Sequence, residues 1–330
     1  MSEVRRRGLR GRARATRAGF ALGAVGALGV VVVLFALARA PLGPALADAV
    51  ADLVATDAPG SGLDPARRAL LLDMARAHAA AARAAGNLMP ARHAHDSATF
   101  EELRAALAGD YDSIEGDVGL DGTIAVVRHD VGDPVEFTLD EWLEVVALAE
   151  FRTIKLDLKR DRVGPIAQAL LASIERHRIS AGRLKLNADV FEGPGAHSGM
   201  SLPERLYVDL AVRLEPADLE YMVRAFPKAT VSVSAVLGRE PGAPPYQPVD
   251  IERFRELVRQ MRAAGAADVV VVARWDLLTP ELVEAMAAID ARVDVWNSFS
   301  AAPLPADPEA EAAALRARYG AALGVVDLRR

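Results

Sequence analysis

Thr153-Ile154-Lys155-Leu156-Asp157-Leu158-Lys159 carries a charge at every second position of a short β-forming run. Side chains on a strand alternate between its two faces. Ile154, Leu156 and Leu158 therefore make one apolar face, and Lys155, Asp157 and Lys159 share the other. Two further stretches repeat the pattern. Ser113-Ile114-Glu115-Gly116-Asp117-Val118 sets both carboxylates opposite Ile114 and Val118, and Leu184-Lys185-Leu186-Asn187-Ala188-Asp189 sets Lys185, Asn187 and Asp189 on one side. Strands of a β/α barrel turn apolar faces to the helix layer. Polar side chains that persist toward their C-terminal ends converge on one mouth, where such barrels carry active sites.

Working outward, strand-like runs fall near 88–94, 112–118, 153–159, 183–190, 205–213, 230–236, 268–274 and 292–298. Helical patterns lie between most of them: Ala98–Ala108, Leu139–Phe151, Gly164–Arg178, Pro216–Phe226, Ile251–Ala264 and Pro280–Ile289, with Pro308–Tyr319 last. Alternation of this kind implies parallel strands joined by helical crossovers. Eight such units in about 240 residues suit a (β/α)8 TIM barrel. An extra run, Thr123–Arg128, follows the turn at Asp121-Gly122 and reads as a β excursion that delivers His129. Pro65–Ala85, with Asp64 as N-cap and Gly86 as C-cap, reads as a helix against the barrel bottom. A doubly wound open sheet is the competing fold, but no Gly-rich phosphate loop follows the first strand.

The chain has 330 residues, 52% of them hydrophobic, which is ample for one large core. It has no cysteine, which removes disulfide frameworks, thiolate metal sites and cysteine nucleophiles. Seven arginines within residues 1–17 precede an uncharged run of 21 residues, Ala18–Ala38. That length spans a bilayer as a helix, and the flanking arginines put the N-terminus in the cytoplasm. The resulting division is a basic cytoplasmic segment 1–17, a transmembrane anchor 18–38, a linker 39–63 and an extracytoplasmic barrel 64–330. A signal peptide cleaved after Ala45-Leu46-Ala47, giving a secreted protein, is the alternative. Formal net charge is −6, but residues 1–17 hold seven Arg and one Glu, leaving 32 basic against 44 acidic residues, or −12, beyond them. So acidic a body argues against a nucleic-acid partner.

Glu115, Asp117 and Asp157 at one barrel mouth repel one another unless a cation or protons compensate. Oxygen ligands without cysteine suit a single Mg2+ or Ca2+. Ion pairing with Lys155, Lys159 or Lys185 is the other compensation on offer. His93 and His129 are candidates for general base and general acid, since histidine titrates near neutrality. Lys159 can neutralise a phosphate or a developing oxyanion. Asn187 on the fourth strand and Trp296 at the end of the eighth stand where substrate is within reach. His93-Ala94-His95 also resembles the metal dyad of amidohydrolases, although the later histidines, His177 and His197, fall off the strands.

His93-Ala94-His95-Asp96-Ser97, Glu115-Gly116-Asp117-Val118, Ile154-Lys155-Leu156-Asp157-Leu158-Lys159 and Leu186-Asn187-Ala188-Asp189-Val190 with Gly193-Pro194 together resemble the menorin family. The resemblance runs from about residue 88 to 200. That family is in turn similar to the phospholipase-C-like phosphodiesterases, which include glycerophosphodiester phosphodiesterases and sphingomyelinase D toxins. The resemblance implies a TIM barrel in which His93 and His129 are the catalytic pair and Glu115, Asp117 and Asp157 hold Mg2+ or Ca2+. Lys159 stands as the neighbouring lysine. Beside these matches, Asn187, His95 and Trp296 are the candidate substrate contacts. Two positions depart from the pattern. Ala94 stands where glycerophosphodiesterases carry a phosphate-holding arginine, and Asp96 where menorins carry asparagine.

The expectation is a membrane-anchored, extracytoplasmic, divalent-metal-dependent phosphodiesterase whose substrate is a small-molecule or lipid phosphodiester. A catalytically silent barrel serving as a binding module is the second reading. A metal hydrolase of amidohydrolase type using His93 and His95 is the third.

Overall fold

The charged faces stand on consecutive parallel strands. In the computed structural model, β1 (His93–Ala94) pairs in parallel with β2 (Ser113–Asp121), and β2 with β5 (Thr153–Leu158). The parallel series continues through β6 (Leu184–Glu192), β7 (Thr230–Val236), β8 (Asp268–Arg274), β9 (Arg292–Trp296) and β10 (Leu323–Asp327). These eight strands follow chain order, which is the order of an eight-stranded β/α barrel. The structure describes residues 63–85, 92–95, 97–129, 133–159, 162–196, 213–237, 243–297 and 305–328. All of them belong to one unit, Pro59–Arg330.

Two contacts reveal the curvature of the sheet. The Lys185 ammonium on β6 pairs with the Asp294 carboxylate on β9, although two strands separate them. Across a flat sheet those strands would stand roughly 14 Å apart. At the seam, the His93 N–H on β1 donates to Asp327 Oδ2 on β10 at 3.3 Å.

Helices lie between the strands: α1 (Pro65–Ala85) ahead of the barrel, then α2 (Phe100–Ala108), α3 (Leu139–Leu148), α4 (Val163–His177), α5 (Pro216–Ala225), α6 (Pro248–Ala263), α7 (Pro280–Ala287) and α8 (Pro308–Tyr319). Their starts are written in the sequence. Thr99 and Thr138 close capping boxes with Glu102 and Glu141, and α5 to α8 each begin at a proline. Ile114, Val118, Ile154, Leu156, Leu158 and Leu186 are buried beneath this layer together with Leu143, Val146, Ile166 and Leu170 from α3 and α4. Gly116 is required at one close approach, because a Cβ there would lie 2.9 Å from the Trp142 ring. Trp142 is held in turn by its Nε1–H, which donates to the Ser97 carbonyl at 2.8 Å.

The β excursion is present as β3 (Ile124–Val127), antiparallel to the far half of β2, followed by β4 (Phe137–Thr138). The series of parallel strands corrects the sequence reading at its end. The eighth is β10, after the last helix, so the run at 292–298 is the seventh. Leu323-Gly324-Val325-Val326-Asp327 is short and interrupted by a glycine, which hid its strand character. That glycine is needed, because a Cβ at Gly324 would run into Asp294 Oδ1. Residues 205–212 of the run at 205–213 lie outside the described residues, and Arg213 belongs to no strand. The segments 1–17, 18–38 and 39–62 also lie outside them. Among the described residues no helix is long and apolar enough to cross a membrane.

Candidate active site

Strand register decides which polar groups meet. Glu115 on β2 is in register with Lys155 on β5, and Lys155 with Lys185 on β6. Two residues further on, Asp117 is in register with Asp157, Asp157 with Asn187, and Asn187 with Ser232 on β7. Register partners share a face, so two polar rows cross neighbouring strands inside the barrel.

The first row centres on Glu115, which is 6% exposed and takes three donors. Lys155 Nζ lies 2.6 Å from its Oε1, and His93 Nε2 and His95 Nδ1 lie 3.1 and 2.8 Å from its Oε2. Burial raises the pKa of Glu115, but Lys155 and the two imidazoles outweigh it and hold the acid well below its ordinary value. An ionised carboxylate only accepts, so His93 carries its hydrogen on Nε2. Its Nδ1 then accepts from the Ser113 hydroxyl at 2.7 Å. Burial lowers the His93 pKa to about 4 despite the attraction of Glu115, with His95 also opposing the charge, so His93 is neutral at neutral pH. The His93 and His95 rings meet edge to face at 4.5 Å.

The second row centres on Lys159, whose Nζ bridges Asp117 Oδ1 and Asp157 Oδ2, each at 2.6 Å. Asn187 Nδ2 donates to the other oxygen of Asp157 at 2.6 Å. Burial, then the charges of Asp157 and Glu115, push the Asp117 pKa up against the pull of Lys159. For Asp157, Lys159 and Lys155 overcome burial and lower it. Three buried oxygens of this row have no hydrogen-bond partner: Asp117 Oδ2, Asn187 Oδ1 and Ser232 Oγ. Above it, Asp189 accepts from Ser234 Oγ.

The structure therefore gathers His93, His95, Glu115 and Lys155 in one cluster and Asp117, Asp157, Lys159 and Asn187 in a second, one step along the strands. Ion pairing with lysine, one of the two compensations open to the sequence, occupies all three acids. His129 is exposed just beyond β3, at the level where the Arg128 N–H returns to the Asp117 carbonyl at 3.0 Å. Trp296 ends β9, half-buried, in register with Arg274 and Asp327. Ala94 is in register with Ile114, on the apolar side of the sheet. His177 Nε2 is within 3.0 Å of Asp140 on the helix layer, and His197 lies outside the described residues.

Residues missed by the sequence reading include Ser113 and Asp294. Asp294 carried a visible signal, since Arg292-Val293-Asp294-Val295-Trp296 repeats the alternation of a charge with buried valines. Ser113 opened a stretch that was read for its acids alone.

Each cluster, taken by itself, offers donors that fit a divalent cation. Unpartnered buried oxygens call for a water or an ion, and Asp117 Oδ2 and Asn187 Oδ1 stand beside further carboxylates without soft ligands. In the neighbouring cluster, ligand atoms of His93, His95 and Glu115 all lie within 4.8 Å of one another.

Comparison with known proteins joins this layout to a family. The sequence model of the Menorin N-terminal domain matches residues 87–280, more than half of the chain and all of both rows. The chain belongs to the menorin family. Among solved structures, this menorin-family barrel is similar to a glycerophosphodiester phosphodiesterase from Parabacteroides distasonis ATCC 8503. Identity is 14% and the TM-score 0.41, with 69% of this chain and 84% of that one covered. It is similar also to a phosphodiesterase from Oleispira antarctica in complex with the product sn-glycerol-3-phosphate. There the identity is 14% and the TM-score 0.42, covering 73% of this chain and 94% of that one.

Proposed function

We propose that this menorin-family protein is a divalent-cation-dependent phosphodiester hydrolase, anchored by Ala18–Ala38 with its barrel outside the cytoplasm. The substrate class is a glycerophosphodiester or phospholipid-type diester. The observation that carries the reading is a partly buried His93, hydrogen-bonded to Glu115 and Ser113, beside an acidic cluster whose Asp117 Oδ2 lacks a partner. Glu115, Asp117 and Asp157 would hold Mg2+ or Ca2+, with Asn187 Oδ1 beside them. When bound, the ion neutralises phosphodiester charge. His93 takes a proton at Nδ1 through the Ser113 hydroxyl that donates there, as that hydroxyl takes one from the attacking water, and His129 gives one to the leaving oxygen. Lys159 supplies the cationic contact to phosphate, a role open because Ala94 faces the apolar layer. Ser113 fixes the His93 ring.

Hydrolysis of bis-p-nitrophenyl phosphate or glycerophosphocholine by the full chain tests this. Mg2+- or Ca2+-dependent turnover that falls at least about 100-fold in His93→Ala and in His129→Ala is expected. Cation binding with no turnover across a broad diester panel would favour the binding module, a reading supported by the lysines already seated on all three acids. The His93–His95–Glu115 cluster favours a third reading, an amidohydrolase-like centre. Nitrogen ligands would then select Zn2+ or Mn2+ over Ca2+ in calorimetry.

A further inference from the structure

Lys155 has no task under the proposed chemistry. Its Nζ lies 2.6 Å from Glu115 Oε1, its side chain is 15% exposed, and strand register sets it directly beside Glu115. Neither neighbouring lysine duplicates it. Lys159 is committed to Asp117 and Asp157, and Lys185, next in the same row, is committed to Asp294 across the barrel. With Lys155 and Lys159 present, the three carboxylates sum to a formal charge of −1. Without Lys155 the sum is −2, the match for a divalent ion.

We propose that Lys155 is a built-in counter-cation that holds the Glu115 carboxylate against a divalent ion and thereby sets the affinity of the acidic cluster for that ion. This rests on the cation reading above. An ion drawing on Glu115 must first take Oε1 from an ammonium already seated there, in a setting of low dielectric where like charges repel strongly. Lys155 acts through Glu115, so it is a positioning residue.

The test is calorimetric titration of the full chain in detergent with MgCl2, CaCl2 and MnCl2, wild type beside Lys155→Met and Lys155→Arg. Lys155→Met is expected to bind at least about tenfold more tightly, and Lys155→Arg, which keeps the charge, to bind as wild type does. Wild-type binding with Lys155→Met no tighter, its melting transition retained, overturns the role of Lys155 alone. Binding by none of the three proteins overturns the cation reading and this inference with it. If Lys155→Met does not fold, Lys155→Gln and the wild-type lysine ammonium NMR resonances carry the test. The Lys155 signal must shift when the ion saturates, and an unmoved signal overturns the proposal.

Discussion

At the scale of single residues, His93 is fixed from both sides. Its Nε2–H points at Glu115 and its Nδ1 accepts from Ser113. Ser113→Ala leaves Nδ1 without that donor and frees the ring to turn. Under the hydrolase reading kcat is expected to fall severalfold with KM little changed, and Ser113→Thr, which keeps the hydroxyl, to recover it. An unchanged kcat in Ser113→Ala would remove Ser113 from the account. Gly116 answers to packing. Gly116→Ala drives a methyl into Trp142 and is expected to cost about 1–3 kcal/mol in denaturant unfolding. The charged residues of both rows were legible in the sequence because they alternate with apolar ones, whereas Ser232 was not. What each would touch was not, because charge compensation by a lysine or by a metal ion leaves the same mark on a strand.

At the scale of elements, α1 is tied to the lower edge of the barrel by His78. Its Nδ1 and Nε2 each lie 3.0 Å from a carbonyl oxygen, those of Ala149 and Tyr111 just ahead of β5 and β2. Removing the imidazole strands buried carbonyls, so His78→Leu is expected to lower stability by about 2 kcal/mol in urea unfolding. An unchanged midpoint would contradict that. The expected packing of this helix at the barrel bottom is met at that edge, and Arg68–Glu144 and Arg83–Glu150 pairs run alongside to α3 and its end.

Between α3 and α4, Asp140 accepts from Ser173 Oγ and faces Arg176 and His177. Although burial opposes the charge, these partners lower its pKa from the ordinary carboxylate value. A carboxylate lowered on folding stabilises the protein above its unfolded pKa, and that stabilisation is lost as pH falls through the folded value. Asp140→Asn is therefore expected to flatten the loss of stability below about pH 4, read from melting midpoints against pH. Helix starts were legible at Leu139, Pro216, Pro280 and Pro308, where the signals are local, whereas the start at Phe100 was read two residues early. β10 was not, because only pairing with β9 makes five residues around a glycine a strand.

At the scale of the molecule, the barrel interior is polar across β2, β5, β6 and β7, and the Lys185–Asp294 pair bridges it to β9. Asp294 also accepts the Val325 N–H at 2.7 Å, which ties β10 to the same point. Lys185→Met leaves a buried carboxylate unpaired and is expected to cost about 3–5 kcal/mol, part of it recovered in Lys185→Met with Asp294→Leu. Additive losses in that double-mutant cycle would show that the pair is not coupled. Strand order was legible as alternation. Closure was not, since contacts between strands 109 positions apart leave no local signal.

The central claim is that His93 and the acidic rows of this menorin-family barrel form a cation-dependent phosphodiesterase. Its most direct test is release of glycerol 3-phosphate from glycerophosphocholine by the full chain, with Mg2+ or Ca2+ and again with EDTA, beside His93→Ala. Turnover that EDTA abolishes and His93→Ala lacks is the expected result. No product from a protein that binds the ion, or equal turnover by His93→Ala, would contradict it.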